Sequence, residues 1–357
     1  MSYGTINCDI VADSSGGRLA PISSVFRNRL INGQMVIDQR NAGASVTSAS
    51  GTSYTLDRWA TSNSQASKYS VQQIATTGNA LAAGFSYALG ITSLSAYSLG
   101  AGDYFNIQQR IEGFNTADLQ FGTASAKTVT LSFWVSSSLT GTFGGVLQNS
   151  TTNYCYPFTY TISSANTYEY KTVTITGATA GTWVGATNGR GLFVSFGLGV
   201  GSTYSGTAGS WASASYESAT GATSVVGTNG ATFYITGIQL ERGSSATGFE
   251  YRQYGQELQL CQRYYQFIGG VATGFPIVQA YQSASTNFSM PMSFAVTMRT
   301  TPTATVLGTW SVSNSSQPSA AFLSPYGASL RGIATALGAC YFYPTGTTEQ
   351  ITFSAEL

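Results

Sequence analysis

Apolar and polar residues alternate along most of the chain. In KTVTLSFWVSSS, Val129, Leu131 and Phe133 alternate with Thr and Ser, which is the period-2 pattern of a half-buried strand. Residues 158–162 and 192–200 show the same alternation. Many short runs of this kind, separated by Gly- and Ser-rich turns and without a helical period between them, predict an all-β chain. Its antiparallel sheets are expected to form a β-sandwich or jelly roll.

Two of the predicted strands carry further information. In GLFVSFGLGVG, the face opposite the apolar one carries Ser195, Gly197 and Gly199, so either a neighbouring segment packs closely over it or the strand bends there. Residues 233–240 (FYITGIQL) are apolar at both alternating sets of positions, as expected for a central strand of a sandwich.

The N-terminal region departs from this pattern. Residues 1–20 are polar and without periodicity, which indicates an extended arm or a disordered tail. After Pro21, five apolar residues are spaced so that they could line one short helix ending near Gly33: Ile22, Val25, Phe26, Leu30 and Ile31.

A second helix is predicted in GQELQLCQRYY. Four residues fall on one face at positions i, i+4, i+7 and i+11, namely Tyr254, Leu258, Cys261 and Tyr265. Glu257 near the start and Arg263 near the end suit the helix dipole. This face either docks on the sandwich of its own chain or forms a contact between three copies around an axis. The periodicity does not choose between the two.

Composition restricts the partners of the chain. Only 8% of its 357 residues are charged, against roughly 25% in an ordinary soluble protein. Hydrophobic residues reach 43%, so the low charge does not indicate disorder. The net charge of +1 and the lack of a basic run argue against a nucleic-acid partner. No run approaches the roughly 18 apolar residues of a spanning helix, and the N-terminus lacks a secretory signal, so membrane insertion is not expected.

Candidate chemistry is sparse. The chain has no His, which removes the commonest general base and every Ser-His, Cys-His and His-metal mechanism. No two acidic residues sit in a recognisable catalytic frame, and Asp103, Glu112 and Asp118 are explained more simply as partners of Arg110. The cysteines are expected to be small buried residues, neither disulfides nor zinc ligands: Cys8, Cys155, Cys261 and Cys340. We therefore predict no catalytic residue and no bound metal.

Several motifs resemble one family. NRLINGQMVIDQR and YTLDRWA are similar to the opening of the sugar-binding-type jelly-roll domain of phage and prophage tail-fibre proteins and related virion proteins. QQRIEGFN, TVTLSFWV and YITGIQLERGSSATGFEYRQYGQELQLCQRYY fit the same pattern in the same order, and MSFAVTMRTTPT resembles the segment found after that helix in the family. The resemblance covers residues 28–305. It implies a carbohydrate-binding-module-like jelly roll, usually trimeric and carried on a virion.

The resemblance also implies an organisation of the chain into four parts. These are an N-terminal attachment arm (1–27), a jelly-roll domain (28–253), a linking helix (254–265) and a smaller C-terminal β-sandwich tip (266–357). The arm would contact other virion proteins, after assembly in the host cytoplasm. A structural calcium ion is compatible with such a jelly roll, although no D-x-D loop marks a site.

Most motif residues are expected to be framework. The resemblance suggests that Asp57 and Arg58 form an ion pair over a buried Trp59 and that Phe133 and Trp134 build the sheet. Glycan binding would need exposed aromatic faces and neighbouring hydrogen-bonding groups. The candidates in the loop-like run 201–218 are Tyr204, Trp211 and Tyr216, and those in the C-terminal part are Trp310, Tyr326, Tyr341 and Tyr343.

Three classes of function remain. The favoured one is a non-catalytic virion fibre that recognises a host-surface glycan or protein. The second is a structural virion component, such as a head fibre, decoration or tail adaptor protein, whose jelly roll serves assembly only. The third is a glycan-cleaving tailspike, which is disfavoured because no long repeat typical of a β-helix appears.

Overall fold

The computed structural model describes residues 11–12, 18–19, 26–272, 276–284 and 286–357. The predicted arm therefore lies largely outside the described residues, as does Cys8. Within residues 1–27, the strands β1 (Val11–Ala12) and β2 (Arg18–Leu19) form an antiparallel pair.

The part of the chain before residue 243 contains short strands and one short helix. In chain order they are β3 (Val46–Thr47), β4 (Gly51–Leu56), β5 (Trp59–Asn63), β6 (Tyr69–Ala75), α1 (Gly78–Ala82), β7 (Tyr87–Ser93), β8 (Tyr104–Glu112), the 3-10 turns Gly113–Asn115 and Ala117–Leu119, β9 (Val129–Ser137), β10 (Gly141–Asn149), β11 (Cys155–Ile162), β12 (Glu169–Ile175), β13 (Arg190–Val200), β14 (Ser205–Gly206), β15 (Ser218–Ala219) and β16 (Thr232–Arg242).

Twelve of these strands form two six-stranded sheets. Sheet 1 has the order β11-β10-β13-β8-β5-β4, and sheet 2 has the order β12-β9-β16-β7-β6-β3. Every pairing within the two sheets is antiparallel, and neighbours in space are mostly distant in sequence. The predicted all-β jelly roll is confirmed.

The alternation seen in the sequence places one set of side chains between the sheets. Leu131 and Phe133 from sheet 2 meet Phe158 and Phe196 from sheet 1 in a single buried cluster. Phe133 and Phe196 lie edge to face with their ring centroids 5.1 Å apart. Burying each such side chain stabilises the fold by about 1.5–3 kcal/mol, so this layer holds the sheets together.

The central strand β16 is buried, but its side chains do not follow the arrangement that the sequence predicts. It lies between β9 and β7 as expected, but most of its apolar residues face the core between the sheets, and Tyr234 packs on the other face. A register shift between Thr236 and Gln239, at Gly237 with φ +59°, changes the phase of the alternation. Consequently Phe233 and Ile238, on either side of this bulge, both point into the same core.

The predicted N-terminal helix is wrong for residues 26–33, and residues 22–25 lie outside the described range. This segment is irregular and runs along β16, where the Arg29 N–H donates to Leu240 O at 2.9 Å. The Asn28 amide also bonds the backbone of Leu30, Ile238 and Leu240. A side chain that satisfies backbone groups in this way competes with helix formation.

The second predicted helix forms but is shorter, as α2 (Tyr254–Gln262), and Tyr265 belongs to the next strand. Cys261 is fully buried with Ile31 and Ile37 of its own chain, and Leu258 packs against the same cluster. Cys261 and Tyr265 are thus buried within one chain and unavailable as trimer contacts, whereas Tyr254 is 63% exposed. The docking alternative describes this helix.

The remaining strands build a separate C-terminal part. They are β17 (Tyr265–Gly269), β18 (Val278–Gln282), β19 (Asn287–Ser293), β20 (Thr303–Leu307), β21 (Ser311–Ser313), β22 (Ser319–Ser324), β23 (Gly327–Ile333), β24 (Gly338–Tyr343) and β25 (Gln350–Ser354). Three antiparallel three-stranded sheets surround a second buried cluster that includes Trp310, Phe342 and Phe353. The exact boundaries 254–265 and 266–357 stay a prediction.

The expected ion pair between Asp57 and Arg58 over Trp59 is wrong. The fully buried Arg58 guanidinium pairs instead with Glu356, which returns from the C-terminal part of the chain. Asp57 accepts hydrogen bonds from the backbone N–H and side-chain amide of Gln39 at 2.7 and 2.6 Å. Burial raises the pKa of the Asp57 carboxyl.

The three carboxylates predicted to pair with Arg110 pair with other residues instead. The Arg110 guanidinium donates to Leu357 O and to Thr52 Oγ1. The three carboxylates are used as follows: Asp103 accepts from Ser64 and Tyr97, Glu112 pairs with Arg263, and Asp118 pairs with Arg29. Several of these contacts join residues more than 80 positions apart, which local sequence does not reveal.

Other predictions concern cysteines and membranes. Cys155, Cys261 and Cys340 are buried free thiols, as predicted. Among the described residues, none of the helices has the length and apolar character needed to span a membrane.

Candidate functional site

The segment 201–222, which includes the loop-like run 201–218 with its candidate binding aromatics, folds back over the outer face of sheet 1. Ala212 exchanges backbone hydrogen bonds with Cys155 of the edge strand β11, at 3.0 and 2.8 Å. Ser218 packs so closely over Gly144 and Gly197 that a Cβ added at either glycine would lie 2.5 or 2.7 Å from Ser218 Oγ. The close packing expected over the glycine-bearing face of β13 is therefore confirmed, and we call this segment the cover.

Trp211 holds the cover in place. It is half-buried, and its ring stacks on Tyr154 with centroids 5.5 Å apart and planes at 4°. The rings of Trp183 and Phe121 meet it edge on, and its Nε1 donates to Thr176 O at 2.7 Å. These contacts engage the indole by stacking on Tyr154, by edge contacts with other rings and by the hydrogen bond of Nε1, so the structure gives Trp211 a packing role.

The two tyrosines of the cover are also engaged. Tyr204 is half-buried and lies edge to face with Tyr104 at 5.4 Å. The Tyr216 ring lies against Gly206, where an added Cβ would come within 2.2 Å of the ring. Neither tyrosine offers an open face of the kind that sugar stacking requires.

Beneath the cover lies a carboxyl group that sequence reasoning missed. Glu217 Oε2 accepts a hydrogen bond from Asn106 Nδ2 at 2.6 Å. Burial raises the pKa of the Glu217 carboxyl to about 7, although Asn106, Arg110 and Arg190 oppose the shift. The Glu217 carboxyl lies between the cover and sheet 1 and therefore forms part of the contact between them.

The C-terminal candidates divide into buried and exposed residues. Trp310 is 2% exposed and belongs to the core, so it cannot stack on a ligand. Tyr341 and Tyr343 are half-buried, with ring centroids 6.2 Å apart. Tyr326 is 71% exposed and, with Phe322, lines an open groove of about 420 Å³. Of the seven predicted aromatics, Tyr326 is the most exposed.

A second aromatic groove lies on the outer face of sheet 2, where the sequence analysis placed no site. Trp134 of β9 and Tyr170 of β12 are direct cross-strand neighbours, with ring centroids 5.5 Å apart and planes inclined at 48°. Tyr170 is 44% exposed. Alternation puts Phe133 in the core and therefore Trp134 on the opposite face, beside Ser132. The aromatic pair is thus built by the sheet itself.

Three further rings form the wall of this groove. Phe85 contacts Phe249 edge on at 5.0 Å and Tyr251 in a stacked arrangement at 5.6 Å. The Tyr251 hydroxyl donates to Ala83 O at 2.8 Å, which fixes the ring while leaving it 53% exposed. Phe85 in turn packs on Gly237, where an added Cβ would lie 2.7 Å from the ring. The bulge in β16 thereby makes room for the wall.

The groove has the chemical character of a site for a polar ligand with apolar faces. It encloses about 250 Å³ and is lined by Ala83, Phe85, Ser132, Trp134, Tyr170, Gly237, Thr247, Gly248, Phe249 and Tyr251. Hydroxyl and backbone groups stand beside the rings, and none of these lining residues is charged. We call it the aromatic groove. No group of three or more metal-ligating side chains is found in the described part of the chain.

A sequence signal for this site existed. Trp134 and Tyr170 occupy the polar phase of two alternating strands, where an aromatic side chain must face away from the core. The family resemblance predicts a framework role for Trp134, and Tyr170 is not among the predicted binding residues. Whether such a ring is open or covered depends on distant segments, so alternation alone would not have selected it.

Comparison with known proteins gives structural similarities at low identity. No family model and no curated protein matches the chain. Similar solved structures include the enzymatically active domain of tailspike protein 4 of bacteriophage CBA120, with 13% identity and TM-score 0.32 over 62% of this chain and 22% of that one. A CBM4 protein matches with 16% identity and TM-score 0.28 over 59% of this chain and 98% of that one.

A third similar structure is TmCBM61 in complex with β-1,4-galactotriose, with 13% identity and TM-score 0.29 over 61% of this chain and 99% of that one. All three TM-scores lie below 0.5. The ligands and substrates of these proteins are therefore not transferred to this chain.

Proposed function

We propose that this chain is a non-catalytic glycan-recognition protein and that the aromatic groove is its glycan site. The observation that carries the proposal is the cross-strand pair Trp134 and Tyr170 in the aromatic groove. Tyr170 is 44% exposed, whereas Trp134 is half-buried against the cluster of Ala80, Ala88 and Tyr168. Sugar rings present apolar C–H faces to such side chains and hydroxyls to neighbouring polar groups. Ser132 and Thr247 line the same groove and supply hydroxyls.

The setting proposed for this activity is a phage virion fibre. The motif resemblance over residues 28–305 supports it, with the arm 1–27 contacting other virion proteins and the β-domains reaching a host-surface glycan or protein. We propose a homotrimer on the same basis. Native mass spectrometry of the full chain tests this assembly, and a monomer at micromolar concentration would contradict it.

A purely structural virion role is the second candidate. The C-terminal part exposes several large apolar side chains, among them Tyr281 at 82%, Phe322 at 83% and Leu337 at 64%. Exposed apolar surface of this kind often marks a protein contact. Under this alternative the jelly roll serves assembly as a head fibre, decoration or adaptor protein, and the aromatic groove would bind no glycan.

A glycan array separates the two candidates. The full-length protein is applied as wild type, Trp134→Ala and Tyr170→Ala, with Tyr281→Ala as the matched control because Tyr281 is an exposed tyrosine outside the groove. We expect binding that weakens about 2–10-fold on loss of one ring, as the free energy of an aromatic contact implies. The control should bind like wild type. An array on which folded wild-type protein binds nothing would favour the structural role.

A further inference from the structure

We infer that the aromatic groove takes a neutral glycan and holds it at a chain end or at a bent linkage, not along a flat ribbon. This inference rests on the proposed function and adds the class of glycan. It follows from the charge of the groove, from the angle between its rings and from its size.

The charge around the groove argues against acidic sugars. No charged side chain lines the groove, and the buried Glu241 carboxylate, which accepts from the lining residue Thr247 and from Gln239, is already hydrogen-bonded. A uronate, sialate or phosphate in the groove would give up hydration without gaining a charged partner, which is costly. A neutral sugar carries no charge that must be desolvated, so it does not incur this cost.

The angle between the two rings restricts the shape of the glycan. Trp134 and Tyr170 are inclined at 48° with centroids only 5.5 Å apart, so no flat surface lies parallel to both. A flat ribbon, such as a β-1,4-linked glucan, presents consecutive sugar rings in nearly one plane and could stack on one of the two side chains. A chain that turns between sugars can stack on both.

The size of the groove favours a short contact. Its volume of about 250 Å³ lies below the roughly 300–1,000 Å³ usual for pockets that enclose drug-sized ligands. Phe85, Phe249 and Tyr251 form a wall on one side, and the Tyr251 ring is fixed by its bond to Ala83 O. One or two sugar rings fill such a space, which suits a chain end or a single bend.

Isothermal titration of the full-length protein with four hexasaccharides tests the inference. Three are glucose hexamers that differ only in linkage: α-1,4 and β-1,3, which curve, and β-1,4, which is flat. The fourth is the α-1,4-linked galacturonate hexamer, which is acidic. We expect a curved neutral hexamer to bind at least about threefold more tightly than the flat one, the effect of one additional ring contact. The acidic hexamer should bind more weakly than the α-1,4 glucose hexamer.

Two variants make the outcome specific. Tyr170→Ala should remove the preference for curved chains, because only one stacking ring remains, whereas Tyr281→Ala should leave it unchanged. Equal or tighter binding of the flat or the acidic hexamer, still dependent on Trp134, would overturn the inference and leave the proposed function intact. If none of the four hexamers binds, the glycans bound on the array decide instead. Neutral glycans bound at a chain end or a bent linkage support the inference, and flat or acidic glycans overturn it. If folded wild-type protein binds no glycan at all, the proposed function itself is contradicted.

Discussion

The outer faces of the two jelly-roll sheets differ in what lies over them. On sheet 1, glycines and serines at Gly144, Ser195 and Gly197 let the cover pack directly onto the strands. On sheet 2, the cluster of Ala80, Ala88 and Tyr168 covers part of the corresponding face, and the part with Trp134 and Tyr170 forms the aromatic groove. Small side chains therefore mark the face on which a segment of the chain itself packs, and large aromatic ones mark the face on which we propose that a glycan binds.

The largest expected effect contrasts one aromatic residue from each face. Trp211→Ala should destabilise the fold by about 2–4 kcal/mol, because four rings lose their half-buried partner. Tyr170→Ala, in an edge strand and 44% exposed, should cost less than about 1 kcal/mol. Urea denaturation measures both. Equal destabilisation by the two variants would remove the distinction between a packed and an open aromatic set.

The next prediction concerns the fit of the cover. Gly144→Val should destabilise by about 1–3 kcal/mol through overpacking, since its Cβ would meet Ser218 Oγ, Ala219 N and Ala222 Cβ at 2.5–3.0 Å. Gly102→Val is the matched control, because no atom lies within 4 Å of an added Cβ there. Thermal unfolding compares them. A control as destabilised as the Gly144 variant would show that the loss comes from replacing glycine and not from the cover.

The carboxyl under the cover predicts a pH dependence. The Glu217 pKa is raised from 4.5 to about 7, so between these values the folded chain holds a proton that the unfolded chain has released. Stability should therefore be complete below about pH 4.5 and fall by roughly 2 kcal/mol as pH rises through 7, with allowance for partial exposure. Glu217→Gln keeps an acceptor for Asn106 Nδ2 and should remove this slope. The same slope in the variant would assign it to other groups.

The smallest effect concerns the wall of the aromatic groove. Tyr251→Phe keeps the ring but loses the hydrogen bond to Ala83 O, which should weaken glycan binding by about 0.5–1 kcal/mol through a less fixed wall. Isothermal titration with the tightest-binding glycan measures this difference. Tyr281→Phe, which changes the same hydroxyl at an exposed position outside the groove, should have no effect, and an equal loss there would contradict the role given to the wall.

Much of the fold could be predicted because strand alternation is local. The residues of β9 and β13 face the directions that their period predicts, and the glycines of β13 are covered, as their small size indicated. The failures have other causes, one of them a contact between distant residues. The Asn28 side chain bonds backbone groups of Leu30 and of Ile238 in β16, and no helix forms over residues 26–33. The bulge at Gly237 changes the phase of β16.

The candidate site was less accessible to sequence reasoning. Richness in aromatic residues drew attention to the run 201–218, yet Trp211 is used in packing and Tyr204 and Tyr216 are half-buried. Trp134 lies in a predicted strand, where the family resemblance predicts a framework role. A residue's exposure depends on which distant segment lies over it, and a single strand contains no information about that segment.

The all-β class, and the core-facing side of regularly alternating strands such as β9, follow from the sequence alone, because a period of two is a property of neighbouring residues. Tertiary structure alone decided which outer face is covered, which carboxylate pairs with which arginine and where two aromatic rings stand open together. Those outcomes depend on contacts between residues far apart in the chain, such as Glu217 with Asn106 and Tyr251 with Ala83.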